Sequence, residues 1–322
     1  MTIRRLAVLT SGGDAPGMNA AIRSVVRNAV HHGVEAFGVR DGYRGLMKGD
    51  FEPLTNRAIG GIMLRGGTVL GSARAPEFAT DAGRDAAIGH LRDAHIDGVI
   101  VIGGNGSQSG SLSLHKAGFP AVGVASTIDN DLSLVDTSIG VDTALNTGLG
   151  LIDRLRDTAT SHHRAFVVEM MGRKSGYLAL MAGIASGAEL ICTPESPVPI
   201  EAVIETVQEA HAIGKNHFLV VVAEGSPLTA PEIVDALNAD GCFETRLSVL
   251  GHVQRGGAPL AFDRLLASRS AAVAVQALLR GQSGLLAGLA KGEITLVPLE
   301  DAVLPSRKVT PELHALGDIL AR

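Results

Sequence analysis

Cysteine is nearly missing from this chain: Cys192 and Cys242 are the only two. They fit no metal-ligand spacing and are too few for a disulfide framework, so they read as reduced residues of a cytoplasmic protein. Tryptophan is absent altogether. A basic excess is lacking too. The formal net charge is −5, which leaves no global field for nucleic acid. No apolar stretch runs uninterrupted for the length of a membrane span. The opening "MTIRRLAVLT" reaches Ser11-Gly12-Gly13-Asp14 too soon for the core of a signal peptide. Neither a membrane nor a nucleic-acid partner is expected. There is no linker rich in Pro, Gly or Ser and no low-complexity segment. Two nucleotide fingerprints are missing as well. A dinucleotide site needs G-x-G-x-x-G after a strand and an acid ending the second strand. Here the second strand ends Val39-Arg40-Asp41-Gly42 and the glycine spacing is wrong. No Gly-Lys-Ser/Thr completes a Walker A loop.

What is present is a chain of 322 residues, 46% hydrophobic and 19% charged, long enough for one large or two medium domains. Its 40 glycines follow no three-residue period and imply many tight strand-to-helix turns. Continuous apolar runs at 6–10, 36–39, 99–102, 121–124, 166–170, 218–223 and 294–297 have the character of parallel strands covered on both faces. Helices alternate with them. Pro16 opens one that Gly33 is placed to end. In 140–159, Val141, Leu145, Leu149, Ile152 and Leu155 recur at helical spacing. Segments 200–213, 231–239 and 262–279 also fit helices. The alternation predicts an α/β fold of two doubly wound α/β/α lobes with parallel-type sheets, tightly joined by chain crossovers.

Three stretches carry chemistry. "LTSGGDAPGMNAAIR" runs from a strand through glycines into a helix, and "VIGGNGSQSGS", residues 101–111, does the same. Glycines let backbone approach an anion, and free amides at a helix start attract phosphate. Alone, each pair of glycines is as consistent with a bare tight turn. Two such turns at strand carboxyl ends favour a nucleotide or sugar-phosphate site. The third stretch, "STIDND", sets Asp129 and Asp131 around Asn130 just after another strand. An Asx-rich turn is the bland reading. The position suits phosphoryl transfer, in which one carboxylate deprotonates a hydroxyl and another holds magnesium.

With "DGYRGL", "RGGTVLGSAR", "IDRLRDTATSHHR", "VEMMGRKSGYLAL" and "VLGHVQRGGAPLAFDR", these motifs closely resemble the bacterial ATP-dependent 6-phosphofructokinases, over residues 3–273. The resemblance implies a phosphofructokinase-like fold. Its larger nucleotide-binding lobe would be residues 1–140 plus 253–305, and its smaller sugar-phosphate lobe 141–252 plus 306–322. It implies a cytoplasmic homotetramer that phosphorylates the 1-hydroxyl of fructose 6-phosphate with ATP and Mg²⁺. Asp129 would be the base, Thr127 would lie beside the moving phosphoryl group, and Arg173 would stabilise it. Asn105 and Asp131 would serve the metal. Gly13, Tyr43, Arg74, Gly106, Ser107, Gln108, Ser109 and Gly110 would line the nucleotide. Met171, Gly172, Glu224, His252 and Arg255 would contact the sugar phosphate, with Arg164 and Arg246 reaching its 6-phosphate from a neighbouring subunit. Arg23, Arg27, Arg156, Glu189, Lys215 and His217 would form an effector site for ADP or phosphoenolpyruvate. Read without the family, Arg154 and Arg156 suit a solvated helix face, and His162 and His163 suit the surface.

The chain also departs from the pattern. Asn105 stands where the family carries a magnesium-binding Asp. Ala75 and Ala79 replace an aromatic residue and an arginine that grip ATP, and Ser126 replaces Gly. Asn216 and Ile213 replace basic residues of the effector set. Gly106, where pyrophosphate-dependent relatives carry Asp, and Ser126, where they carry Lys, favour ATP. A pyrophosphate-dependent enzyme and a catalytically weakened ligand-binding homologue remain the alternatives.

Overall fold

The computed structural model describes residues 3–304 and 309–321. Among the described residues the backbone divides into two compact units, residues 3–143 with 255–304 and residues 144–254 with 309–321. The lobe boundary expected at 305/306 lies outside the described residues.

The first unit is built on strands β1 (Arg5–Ser11), β2 (Glu35–Val39), β3 (Phe51–Leu54), β4 (Gly98–Gly103) and β5 (Ala121–Ala125). The chain returns to it for β10 (Leu285–Ala290) and β11 (Glu293–Pro298). The sheet order is β11-β10-β5-β4-β1-β2-β3, parallel from β10 to β2 with an antiparallel strand at each edge. The helices of this unit are α1 (Met18–His31), α2 (Tyr43–Leu46), α3 (Asp81–Asp93), α4 (Asn105–Lys116), α9 (Ala261–Leu279) and α10 (Leu299–Ala302). The central strands are fully buried, as unbroken apolar runs require when both faces of a sheet are covered. α1 starts two residues after Pro16, because Gly17 takes a left-handed turn at its N-cap (φ 107°). Gly33 ends it at φ 72°, a geometry that suits glycine.

The second unit carries β6 (Arg164–Met170), β7 (Leu190–Cys192), β8 (Phe218–Ala223) and β9 (Glu244–Val249) in the order β7-β8-β6-β9, all parallel. Helix α5 (Val141–His162) leads into it. It is followed by α6 (Tyr177–Ser186), α7 (Ile200–Ala212), α8 (Ala230–Asp240) and, after the chain returns, α11 (Pro311–Leu320) on α6. A capping box of Thr229 and Glu232 starts α8.

Two expectations shift. The run at 294–297 is an antiparallel, half-exposed edge strand, not a buried parallel one. Lys291 and Gly292 both take positive φ, 52° and 81°, the geometry of a tight hairpin. In α5 the buried positions are Val141, Thr143, Ala144, Gly148, Ile152 and Ala159, so Val141 and Ile152 of the expected face are buried while Leu145, Leu149 and Leu155 are only partly covered. A Cβ at Gly148 would stand 2.5 Å from Met170 Cε, so small residues set how closely this helix lies over β6.

Candidate functional site

β1 and β4 are neighbours in register, Ser11 opposite Gly103, so the glycine turns at their carboxyl ends adjoin although ninety residues separate them in sequence. The fit is close. A Cβ on Gly103 would lie 2.6 Å from both Ser107 Oγ and the Ser11 carbonyl, and one on Gly12 would lie 3.1 Å from Ser107 Oγ. Asn105 is the first residue of α4, and no side chain caps the helix at Gly104. Gly106 is exposed, with nothing within 4 Å of an added Cβ. Ser109 donates to the Asn105 carbonyl at 3.0 Å. Open amides on a three-turn helix make an anion-binding position. Gly13 and Arg74 are exposed beside these turns, and Ser72 Oγ ties the Gly12 carbonyl at 2.6 Å.

Three residues expected to line a nucleotide serve this loop from behind. Gln108 is fully buried, and its Nε2 donates to the carbonyls of Val101, Gly103 and Val124 at 3.0–3.1 Å, pinning β4 to β5. Tyr43 is buried, stacked on Phe78 at 4.1 Å, and donates to the Ser107 carbonyl at 2.6 Å. Burial pushes its phenol well above its ordinary pKa. Gly110 lies against that ring, and a Cβ there would come 2.5 Å from Tyr43 Cζ. Composition could not separate a ligand-lining tyrosine from a packed one. Gly110→Ala is expected to destabilise the protein by ~1–3 kcal/mol through overpacking, outweighing the better helix propensity of Ala, as a lower urea midpoint.

The acidic stretch follows β5, the next strand over. Ser126 N donates to the Gly103 carbonyl at 3.0 Å, and a Cβ on Gly104 would lie 3.0 Å from Thr127 Cβ. Asp129 and Thr127 therefore stand beside the N-terminus of α4. Thr127 Oγ1 accepts the Asp129 amide at 3.1 Å, and Thr127 N donates to the Ile139 carbonyl. Asn130, left-handed at φ 49° and buried, accepts from Ser138 N and donates to the Asp136 carbonyl, both at 3.1 Å. Behind this, fully buried Asp263 accepts from Gly140 N, Thr143 N and Thr143 Oγ1 at 2.8, 2.8 and 2.6 Å, and burial raises its carboxyl pKa. The sequence reading gave neither Asn130 nor Asp263 a role. The left-handed tolerance of asparagine was the available signal for the first.

Arg255 reaches this loop. Its Nη2 lies 3.7 Å from Asp129 Oδ1, with both side chains nearly buried, and its Nη1 donates to the Asp14 carbonyl at 3.1 Å. It also fills the space over Gly13. Among the described residues no three His, Cys, Asp or Glu side chains gather as a metal cage. The oxygens that the acidic stretch and the head of α4 offer are the carboxylates of Asp129 and half-buried Asp131 and the amide of Asn105. That donor set fits Mg²⁺, which keeps waters and takes one or two carboxylates plus phosphates.

In the second unit, Met171, Gly172 and Arg173 follow the carboxyl end of β6. Glu224 Oε1 accepts the amides of Gly172 and Arg173 at 3.2 and 2.6 Å. Arg173 sits at φ 54°, a left-handed conformation that costs a non-glycine residue ~1–3 kcal/mol. Neighbouring Glu169 has a raised carboxyl pKa, through burial and then the charge of Glu224. His252 is exposed in the 3₁₀ turn Gly251–Arg255. Arg164, which opens β6, and Arg246, opposite Phe166 on β9, both pair with Glu244 and hold its carboxyl below the ordinary range. Six residue steps separate Arg164 from Met170, about 20 Å along a strand.

The remaining candidates fall in both units. Arg23 and Arg27 are one helical turn apart on α1, half-buried and exposed respectively. In the second unit Lys215 pairs with Glu189 at 3.3 Å, and Glu189 Oε2 accepts Leu219 N at 2.8 Å. The Arg156 guanidinium passes about 4 Å from a Cβ built on Gly187, so it is not simply solvated. His217 Nδ1 meets Asn216 Oδ1 at 2.9 Å, and Ile213 is 78% exposed. His162 and His163 are on the surface. Burial pushes the Cys192 thiol up to about 12.

The phosphofructokinase family profile matches residues 5–278. ATP-dependent 6-phosphofructokinase 1 of Thermus thermophilus is 49% identical over 321 residues, 99% of this chain and 100% of that protein. The ATP-dependent 6-phosphofructokinase of Brevibacillus brevis is 46% identical over 319 residues, again 99% and 100%. Among solved structures, phosphofructokinase from Saccharomyces cerevisiae matches with a TM-score of 0.88 at 37% identity, covering 99% of this chain and 48% of that one.

Proposed function

The chain belongs to the phosphofructokinase family, and we propose that it transfers the γ-phosphoryl group of ATP to the 1-hydroxyl of fructose 6-phosphate. The observation that carries this reading is the turn of Thr127 and Asp129 at the end of β5, set against the open N-terminus of α4. The nucleotide phosphates lie on the amides at Gly104–Ser107, where Gly106 leaves room for them. Asp129 takes the proton of the attacking hydroxyl. Thr127 is oriented through its bond to the Asp129 amide. Arg173 balances charge on the moving phosphoryl group, while Met171, Gly172, Glu224, His252 and Arg255 hold the sugar phosphate. Mg²⁺, held by Asp131 and Asn105, would neutralise phosphate charge. Gly13, Arg74 and Ser109 remain the exposed candidates for nucleotide contact. A cytoplasmic location accompanies this reading; no helix among the described residues is long and apolar enough to cross a membrane.

A coupled assay with fructose 6-phosphate and ATP, pyrophosphate or no donor tests it. Turnover with ATP is expected. Turnover with pyrophosphate alone would overturn the donor, and none with either, in folded protein, would leave a ligand-binding homologue.

The separation of Arg164 and Arg246 from Met171 supports a homotetramer with shared sites. A hexose phosphate held at residues 171–173 is too short to reach Arg164 of the same chain, so a second copy would supply it together with Arg246, which shares its partner Glu244. Arg246→Ala and Asp129→Ser chains, each inactive alone, are expected to regain activity when mixed. No recovery after demonstrated subunit exchange would remove the arginines from a shared site. ADP or phosphoenolpyruvate would act through Arg23, Arg27, Arg156, Glu189, Lys215 and His217. Neutral Asn216 and Ile213 weaken the positive field that such an anion needs.

A further inference from the structure

Three successive backbone amides in the second unit are each taken by a side-chain oxygen. Glu224 Oε1 holds Gly172 and Arg173, and Gln254 Oε1 holds Met171 at 2.9 Å. We propose that Gln254 is a positioning residue that sets the place of the Arg173 guanidinium by fixing the amide at the head of this turn. The proposal deepens the kinase reading above and rests on it for the role of Arg173.

Burial and shape support it. Gln254 is fully buried, and its Nε2 has no hydrogen-bond partner among the described residues. A buried donor without a partner is costly, and an aliphatic side chain of that size would avoid the cost. The acceptor oxygen is then what the position uses. Helix α5 passes nearby: a Cβ on Gly148 would stand at ordinary contact distance, 3.6 Å, from Gln254 Nε2. The turn itself resists relaxation. A side chain at Gly172 would meet the Ser175 carbonyl at 2.2 Å, one at Gly225 would meet the Arg173 carbonyl at 1.9 Å, and Arg173 is held left-handed. Leu250 N donates to the Glu169 carbonyl at 3.0 Å. The 3₁₀ turn that carries His252 is thus tied to β6 at Leu250 and to the residue after β6 at Gln254. One glutamine orders a residue proposed for the phosphoryl group and supports another proposed for the sugar.

The experiment compares Gln254→Met, which keeps length but loses the acceptor, with Gln254→Glu, which keeps an oxygen at the same reach. Steady-state kinetics are read beside hydrogen exchange of the peptide spanning 170–175. Gln254→Met is expected to lower kcat by ~10–10²-fold, as misplacing a reacting group does, with the KM for ATP unchanged. Exchange at 171–173 should quicken, and Gln254→Glu should restore both. Wild-type kcat in Gln254→Met, or equal losses in the two variants, would overturn the proposal even if the melting temperature falls. Should Gln254→Met not fold, Gln254→Asn, an amide one methylene short, replaces it under the same criteria. An inactive wild type would instead defeat the kinase reading, and the exchange data would still show whether Gln254 holds the turn.

Discussion

Asp129→Asn is expected to lower kcat by ~10²–10⁴-fold while leaving the apparent affinity for fructose 6-phosphate nearly unchanged, the usual contribution of a general base. The asparagine keeps the size of the side chain and its backbone bond to Thr127 Oγ1, so the loop should hold its shape. It loses the basic oxygen and the charge that faces Arg255 at 3.7 Å. The losses differ in kind. Without the base, the hydroxyl must shed its proton to water, which slows the chemical step alone. Without the charge, Arg255 keeps its bond to the Asp14 carbonyl but gains a freer guanidinium, which can strengthen its hold on an anionic substrate. A lower kcat with an equal or smaller KM is therefore the signature. Turnover close to wild type would remove Asp129 from proton transfer, and a large rise in KM with kcat intact would make it a binding residue.

Asn105→Asp is expected to raise kcat, by as much as ~10²–10³-fold if a charged contact to the metal-nucleotide matters mainly in the transition state. Two effects of the substitution can be separated. Asn105 opens α4 and no acidic residue occupies its first turn, so a carboxylate there is expected to stabilise the helix by about 0.3–1 kcal/mol in any event. That gain appears as a higher melting temperature. A metal role appears instead as a higher kcat with a lower magnesium requirement. A higher melting temperature with an unchanged magnesium curve would mean that the amide is catalytically neutral. Asn105-Gly106 is a sequence prone to deamidation, so the comparison calls for fresh, mass-checked protein.

The strand ends and glycine turns were legible because they depend on local pattern. Unbroken apolar runs marked β1, β4, β5, β6 and β8, and the alternation with helices made their carboxyl ends the place to look. Other strands were hidden for physical reasons. β7 has three residues, too few for a pattern. β9 reads ETRLSV, mixed because it is an edge strand with little of its surface covered. In β10, Gly288 breaks the apolar run because Val135 packs where a side chain would be. The groups that hold the candidate site in place were the least visible. Asp263 meets Thr143, and Gln254 meets Met171, across more than eighty residues of sequence. A side chain that bonds to backbone leaves no spacing signature in either segment. For the same reason Tyr43 and Gln108 read as ligand contacts, although the fold turns both inward.

The division of the chain into units bears on how it is made. The first unit is interrupted after residue 143 and resumes at 255, and its sheet gains β10 and β11 only after residue 284. While the ribosome works through the intervening residues, β5 has β4 on one side and nothing yet on the other. The nascent chain thus carries an open edge of sequence AVGVA, a pairing hazard until β10 emerges. The 144–254 stretch comes out in one piece with its four strands, so it can gain structure during synthesis before the unit that precedes it in sequence is complete. Slow translation after residue 254 would prolong the exposure of the β5 edge.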